Sequence, residues 1–535
     1  MNSIFFVILR RMRPPLLALI AAYAVSILGL TLIPGVDGEG RPWRFDFFHA
    51  FYFVSYTATT IGFGELPHAF TAAQRAWVIF GLYLTVIAWL YAIGKLIALL
   101  QDDALRQAIK EARFARSVRR LREPFCLVCG YGETGAALVR ALASEGRMVV
   151  VIDNEAARIR ALSLEEYPIP IPALIAEAHT PDILRIAGLR NPRCEALIAV
   201  TRSDAANLHI AITGKLLHPR VKVIARAGRR ETAANMVSFG TDHVIDSFQA
   251  FADRLFVALQ SPCLDALSRW LLGQGPLAEP HRPPHGLWLL CGYGRFGKAL
   301  LTRFRAEGIE TVVLESKPEK TGVPHGKDVR LIQGWGTEAA DLLGAGVKDA
   351  VGIVAGTGND TNNLSILMTA RDLNPNLYMV ARQNEQSNTA LFRAIRADQV
   401  AEGSRILSER IRTLLNQPLL AEFLARIQRR GDGYARQVLV NLASRLGEGV
   451  PRLRQIRIRP AETPNLCARL AATPLTCGAW LNDIPESDGV RPVMLCLKRA
   501  SEPDLLPEAG KALRQDDQLL IAMAPDQYRA VERRL

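Results

Sequence analysis

Two long stretches near the N-terminus carry almost no charge, and that restricts where the first hundred residues can fold. Leu16 to Ile33 (LLALIAAYAVSILGLTLI) has no charged residue in 18 positions. As a helix it would be roughly 27 Å long, close to the hydrocarbon thickness of a bilayer. Trp77 to Leu100 supplies 24 more residues with one charge, Lys95, near the far end, from which a lysine can snorkel to the interface. Arg10, Arg11 and Arg13 precede the first stretch, and a basic run from Arg106 to Arg122 follows the second. The positive-inside rule then places the N-terminus and everything beyond the second stretch in the cytoplasm. A signal peptide competes for the first stretch, but no small-residue cleavage site follows it and the second span is unaffected. The expectation is a multi-pass protein of the inner (plasma) membrane with a lipid bilayer as partner.

Between the spans, Phe45 to Tyr56 (FDFFHAFYFVSY) is aromatic and apolar but too short to cross a membrane. It reads as a re-entrant half-helix, tolerated only where protein or water covers its ends. It runs directly into TATTIGFGE, Thr57 to Glu65. Gly62 and Gly64 let the backbone alternate between ordinary and left-handed conformations, which turns successive carbonyls to one side. This segment resembles the selectivity filter of potassium channels, with Thr59, Thr60, Ile61, Gly62, Phe63 and Gly64 as the filter and Glu65 at its outer mouth. The resemblance implies potassium held by the carbonyls of Thr60, Ile61, Gly62 and Phe63 and by the Thr60 hydroxyl, in rings built by four chains. The half-helix would direct the negative end of its dipole at the ion.

Three positions depart from the common family pattern. Phe63 replaces a tyrosine, Tyr56 stands where some members carry a glutamate brace, and Glu65 replaces an aspartate while keeping a negative charge. Many relatives also have a hinge glycine about twenty residues past the filter. Leu84 occupies that place here, leaving Gly81 and Gly94 as alternatives. No helix carries arginines at every third position, so no voltage sensor is expected.

The remainder of the chain is a duplication. CLVCGYGETGAALVRAL from Cys126 matches WLLCGYGRFGKALLTRF from Trp288; AVTRSDAANLHIAI from Ala199 matches VAGTGNDTNNLSIL from Val354; VKVIARAG from Val221 matches LYMVARQN from Leu377. Each copy alternates apolar strands with amphipathic helices, the pattern of a doubly wound parallel sheet. Gly130, Gly132 and Gly135 form a G-x-G-x-x-G turn, as do Gly292, Gly294 and Gly297. In both copies an acid at a strand end, Asp153 or Glu315, lies 23 residues after the first glycine. The first glycine permits the tight turn, the second lets backbone approach a pyrophosphate, and the third packs helix on strand. The acid would accept a ribose diol, favouring NAD or an adenine nucleotide over NADP. Arg295 in the second turn suits a phosphate, whereas Glu133 in the first opposes one. Arg226 and Arg382 stand at matching strand ends within reach of such a phosphate.

A pore followed by tandem Rossmann units resembles bacterial ligand-gated potassium channels with RCK (TrkA-N-like) regulatory domains. The implied fold class is an α-helical transmembrane pore (two helices plus a re-entrant pore helix), two α/β Rossmann-like domains and a small α+β C-terminal lobe. The expected segments are a pore at 1–100, a linker helix at 101–122, a first RCK domain at 123–275 with crossover helices, a proline-rich linker at 276–285, a second RCK domain at 286–449 and a C-terminal lobe at 450–535. Four chains with two regulatory domains each give the eight of the family's gating ring, so a homotetramer needing no separate regulator is implied.

Composition narrows the alternatives. The net charge of +13 raises the question of nucleic acid, but the excess clusters beside the apolar spans, where anionic lipid headgroups are the simpler partner. No nucleic-acid motif accompanies it, and no nucleic-acid partner is expected. Eight scattered cysteines form no disulfide framework, and Cys126 and Cys129 read as two positions of one buried strand. Calcium is carried as a further candidate cofactor, although no acidic cluster has calcium-loop spacing. A non-selective cation channel would share the fold. A membrane-tethered NAD-dependent oxidoreductase would need a positioned acid–base residue, and none of the nine histidines has such a setting. No catalytic residue, and no enzyme, is expected.

Overall fold

The computed structural model describes residues 2–280, 282–322, 329–487, 489–500 and 502–535, without the side chains of residues 2–7. His281, within the linker expected at 276–285, lies outside the described residues. The chain divides into two compact units, Met1–Arg120 and Leu121–Leu535.

In the first unit a helix at Asn2–Leu32 packs along a second at Ala72–Gln101. Small residues set their approach. A Cβ added to Gly29 would stand 1.9 Å from the Trp77 ring, and Trp77 Nε1 donates to the Ser26 carbonyl at 3.1 Å. A Cβ on Gly81 would meet Ser26 Oγ at 3.0 Å, whereas one on Gly94 would meet nothing within 4 Å. Gly81 is therefore a packing glycine, and Gly94 is the less constrained of the two. Thr71 and Gln74 close a capping box at the start of the second long helix. Only 28% and 17% of the most apolar windows in these helices are buried, so most of their apolar surface faces outward.

The half-helix spans Phe47–Ala58, starting two residues later than its aromatic run because the Asp46 carboxylate accepts the His49 amide at 2.7 Å. Its buried face, Ala50, Phe53, Val54 and Tyr56, packs with Ile27, Leu30, Phe45 and Phe70. A basic helix at Asp103–Arg119 follows the second span. Asp102 caps it through the Leu105 amide and also pairs with Arg11, tying its start to the first helix.

The second unit holds two six-stranded parallel sheets. With the strands of each copy counted in chain order, both sheets run 3-2-1-4-5-6, the doubly wound order with its crevice beside strand 1. Strand 1 is Phe125–Cys129 in the first copy and Trp288–Cys291 in the second. A four-stranded antiparallel sheet, first strand Arg452–Arg457, forms the C-terminal lobe with short helices.

The helices following each copy are exchanged. Ser247–Gln260, which leaves the first copy, puts Phe251, Ala252, Leu255 and Leu259 into the core of the second, against Phe296, Leu300 and Trp288. Gly403–Asn416, which leaves the second, puts Leu407, Ile411 and Leu414 against Leu138, Leu142 and Val128 of the first. The next helices, Pro262–Leu271, Pro418–Arg430 and Asp432–Leu446, share one core with the C-terminal sheet.

Candidate functional site

The Phe47–Ala58 helix ends in a loop that folds back onto it. Thr60 N donates to Thr57 O at 3.1 Å and Ile61 N to Tyr56 O at 2.9 Å. Thr60, Gly62 and Gly64 then take left-handed φ values of 65°, 68° and 93°. Every second residue is left-handed, so the alternation expected from two glycines extends one step further, through Thr60. A threonine adopts that conformation only at a cost, which neighbouring contacts must offset.

Tyr56 supplies two such contacts. Its Oη donates to the Gly64 carbonyl at 2.7 Å, and its ring meets the Phe63 ring edge-on at 5.3 Å. Tyr56 therefore braces the loop from behind with its own hydroxyl, although Phe63 lacks one. Thr59 caps the helix through Ser55 O at 2.8 Å. Ile61 stays exposed on the single chain.

Glu65 keeps its charge at the loop's end but does not present it freely. Arg75 Nε and Nη2 donate to its two oxygens at 2.8 and 3.0 Å, and the Phe70 amide donates at 2.9 Å. The Arg75 hydrogen bonds, followed by the Phe70 amide, pull the Glu65 pKa down to about 2. A carboxylate lowered in this way keeps its pairing above the ordinary value and loses it as pH falls through about 2. External acidification from about pH 5 to pH 3 should leave the native loop unaffected. Arg75→Gln returns Glu65 toward its ordinary range, so conduction by that variant should change across the same window. Identical pH profiles for both proteins would show that the pair does not hold the loop.

In the second unit the first and third glycines of each turn are required by the backbone itself. Gly130 and Gly292 have φ of 105° and 95°. A Cβ on Gly135 would stand 2.0 Å from Gly130 O, and one on Gly297 2.1 Å from Gly292 O. A Cβ on Gly294 would meet nothing within 4 Å, and one on Gly132 only Arg158 Nη1 at 3.9 Å. The middle glycine is thus the unobstructed one, beside the N-terminus of Glu133–Ser144 or Arg295–Ala306.

Asp153 and Glu315 have a second task that their spacing does not reveal. Asp153 accepts the Tyr131 amide at 2.6 Å and the Glu155 amide at 2.8 Å; Glu315 accepts the Tyr293 amide at 2.7 Å and the Lys317 amide at 3.0 Å. Each acid thus clamps the glycine turn to the next strand, and one oxygen of each, Asp153 Oδ1 and Glu315 Oε2, retains a lone pair for a hydroxyl. Arg158 pairs with Asp153 at 3.4 Å and with Glu155 at 2.7 Å, placing a positive charge over the first turn that sequence reasoning missed. Glu133 accepts the Gln386 amide at 3.2 Å and so links the first turn to the second copy.

Arg295 crosses in the opposite direction: its Nη1 lies 2.2 Å from where a Gly228 Cβ would stand. Arg295 and Arg382 stack on Phe248 at 5.3 and 4.7 Å. Burial, then repulsion from Arg295, lowers the pKa of both Arg226 and Arg382. The nearby carboxylates already accept backbone amides, Asp204 those of Gly228 and Arg229, Asp246 those of Phe248 and Gln249, and Asp360 those of Asn384 and Glu385. Arg295 thus faces Arg226 across the seam between the copies and Arg382 within its own copy.

Cys126 and Cys129 lie on the buried first strand and are free thiols; burial raises both pKa values, that of Cys126 to about 11. They suit packing, not redox exchange. Among the described residues no group of three His, Cys, Asp or Glu side chains is placed to hold a metal.

Comparison with known proteins covers both units. The TrkA-N domain family matches residues 126–247 and 288–402, and the Ion channel family (Ion_trans_2) matches residues 16–102. An uncharacterized protein of Methanothermus fervidus is 28% identical over 240 residues, 44% of this chain and 36% of that protein. Potassium channel protein 1 of Methanocaldococcus jannaschii is 26% identical over 201 residues, 37% of this chain and 58% of its own. The match therefore spans less than two thirds of either relative. The solved structure described as the GsuK channel bound to NAD is 16% identical, with a TM-score of 0.49 and 99% of both chains covered.

Proposed function

We propose that this chain, an ion-channel domain joined to two TrkA-N domains and homologous to potassium channel proteins, forms a homotetrameric potassium-selective pore of the inner membrane, gated by NAD or an adenine nucleotide on a cytoplasmic ring. The observation that carries the pore is the left-handed alternation at Thr60, Gly62 and Gly64, at the C-terminal end of a capped half-helix. Such a backbone turns successive carbonyls toward one axis, where four copies replace the hydration shell of potassium. The Tyr56 and Arg75 contacts hold those carbonyls in place before the ion arrives.

Two features support nucleotide as the ligand. A pyrophosphate would approach at Gly132 and Gly294, where an added Cβ meets no atom closer than 3.9 Å, and among the described residues the carboxylates near Arg226 and Arg382 (Asp204, Asp246 and Asp360) already accept backbone amides. Phosphate at that seam would draw the two copies together and pull on the inner helices through the segment from Gln101 to Arg122. The protein is read as a conduit with no catalytic step, and calcium has no part in the proposal.

The test is planar-bilayer current from the purified protein in asymmetric potassium and sodium, before and after NAD or ADP is added to the cytoplasmic side. A reversal potential near that of potassium, with open probability changed by nucleotide, is the expected result. A reversal potential near zero would favour a non-selective cation pore. Selective current indifferent to both nucleotides would confine the glycine turns to packing.

A further inference from the structure

The second nucleotide turn has an aromatic neighbour that the first lacks. Trp270, Trp288 and Trp480 of the second unit are at most 1% exposed, whereas Trp335 is 53% exposed. Its place in the fold is fixed by the strands before it. Gln333 pairs with Glu315 in parallel register, and the Gly334 amide donates to the Glu315 carbonyl at 3.3 Å. A Cβ on Gly336 would lie 3.0 Å from Cys291 Sγ and 3.6 Å from a Leu314 methyl. Gly334–Gly336 therefore crosses the C-terminal ends of the two strands that carry the Gly292 turn and the Glu315 clamp. Asp341 accepts the Trp335 amide at 3.0 Å and the Gly336 amide at 3.1 Å. The backbone is pinned while much of the ring stays open to solvent.

We propose that Trp335 is the base platform of the second nucleotide site, stacking on the adenine ring of a nucleotide whose ribose reaches Glu315 and whose phosphates reach the Gly294 turn. This rests on the nucleotide reading above. An aromatic side chain with two torsions on a pinned backbone costs little entropy on binding, and a purine offers a matching π-surface. The first copy cannot do the same. There Ile175 pairs with Asp153 and the Ala176 amide donates to Asp153 O at 3.0 Å, which makes Glu177 the register counterpart of Trp335. Glu177 accepts Asn154 Nδ2 at 3.1 Å and pairs with His179 at 3.4 Å, and it offers no ring. The two sites in one chain are thus chemically unequal.

The experiment uses the full-length protein in nanodiscs, with ADP and inorganic pyrophosphate as probes. The emission difference between wild type and Trp335→Phe isolates the Trp335 signal. Saturating ADP should cut iodide quenching of that signal at least twofold, while pyrophosphate, which has no base, should leave it unchanged. By calorimetry, Trp335→Ala should weaken one class of ADP site about tenfold, and Trp335→Phe less than about threefold. Pyrophosphate affinity should be the same in all three proteins, which separates a lost stack from a damaged fold. ADP binding of wild-type strength in Trp335→Ala, or unchanged iodide access, would overturn the platform and leave the nucleotide site standing. Uptake of neither probe by the wild type would overturn the nucleotide reading itself.

Discussion

Gly62→Ala should abolish potassium-selective current while leaving an assembled protein. Gly62 holds φ of 68°, and a Cβ there would meet nothing within 4 Å of its own chain. The penalty therefore comes from the backbone. An L-residue in the left-handed region costs about 1–2 kcal/mol, and four chains around one axis raise this to on the order of 4–8 kcal/mol for a complete filter. Thr60 already bears such a cost at φ 65°, so the loop has little reserve for a second. A backbone relaxed to accept the methyl would turn the carbonyl of this position away and interrupt the ladder between Ile61 and Phe63. The check is reversal potential and potassium flux together with assembly size by gel filtration. Selective current of wild-type amplitude would mean that the alternation is not what conducts.

The second large effect separates two glycines three residues apart. Gly297→Ala should destabilise the second Rossmann lobe, because its Cβ would stand 2.1 Å from the Gly292 carbonyl, a backbone atom that cannot step aside. Overpacking costs typically about 1–3 kcal/mol, and a backbone obstacle places this change at the upper end or beyond. Gly294→Ala should leave the empty protein as stable as wild type, since nothing lies within 4 Å and its φ of −72° suits any residue. It should nevertheless erase the rise in melting temperature that saturating ADP gives the second lobe, because the methyl occupies the space a pyrophosphate needs. Thermal melts of both variants with and without ADP read the contrast directly. An undiminished ADP shift in Gly294→Ala would place the ligand elsewhere.

Both expectations rest on residues whose roles were visible in the sequence. A glycine demanded by a left-handed angle or by a close helix approach leaves a fixed spacing, and so did the duplication. Partnerships made by side chains at a distance left no such trace. Nothing in FDFFHAFYFVSY says that the Tyr56 hydroxyl reaches Gly64, or that Arg75 will close on Glu65. The spacing from Gly130 to Asp153 points to a ribose acid but not to a clamp on the Tyr131 amide. The Asp46 cap is masked in the same way, because the aspartate sits inside an aromatic run that reads as continuous from Phe45. The exchange of Ser247–Gln260 and Gly403–Asn416 was not legible either, because an amphipathic stripe says that a helix is covered without saying by which core.

That exchange has a consequence for how the second unit can come apart. Each lobe lacks a wall that the other provides, so a chain severed between Gly275 and Gly286 would yield two fragments with bare apolar flanks, not two free-standing modules. The geometry is that of two like subunits that have traded an arm and are now spliced head to tail. Wear in one lobe is therefore felt in its twin, and a substitution that loosens the second lobe should lower the stability of the first as well.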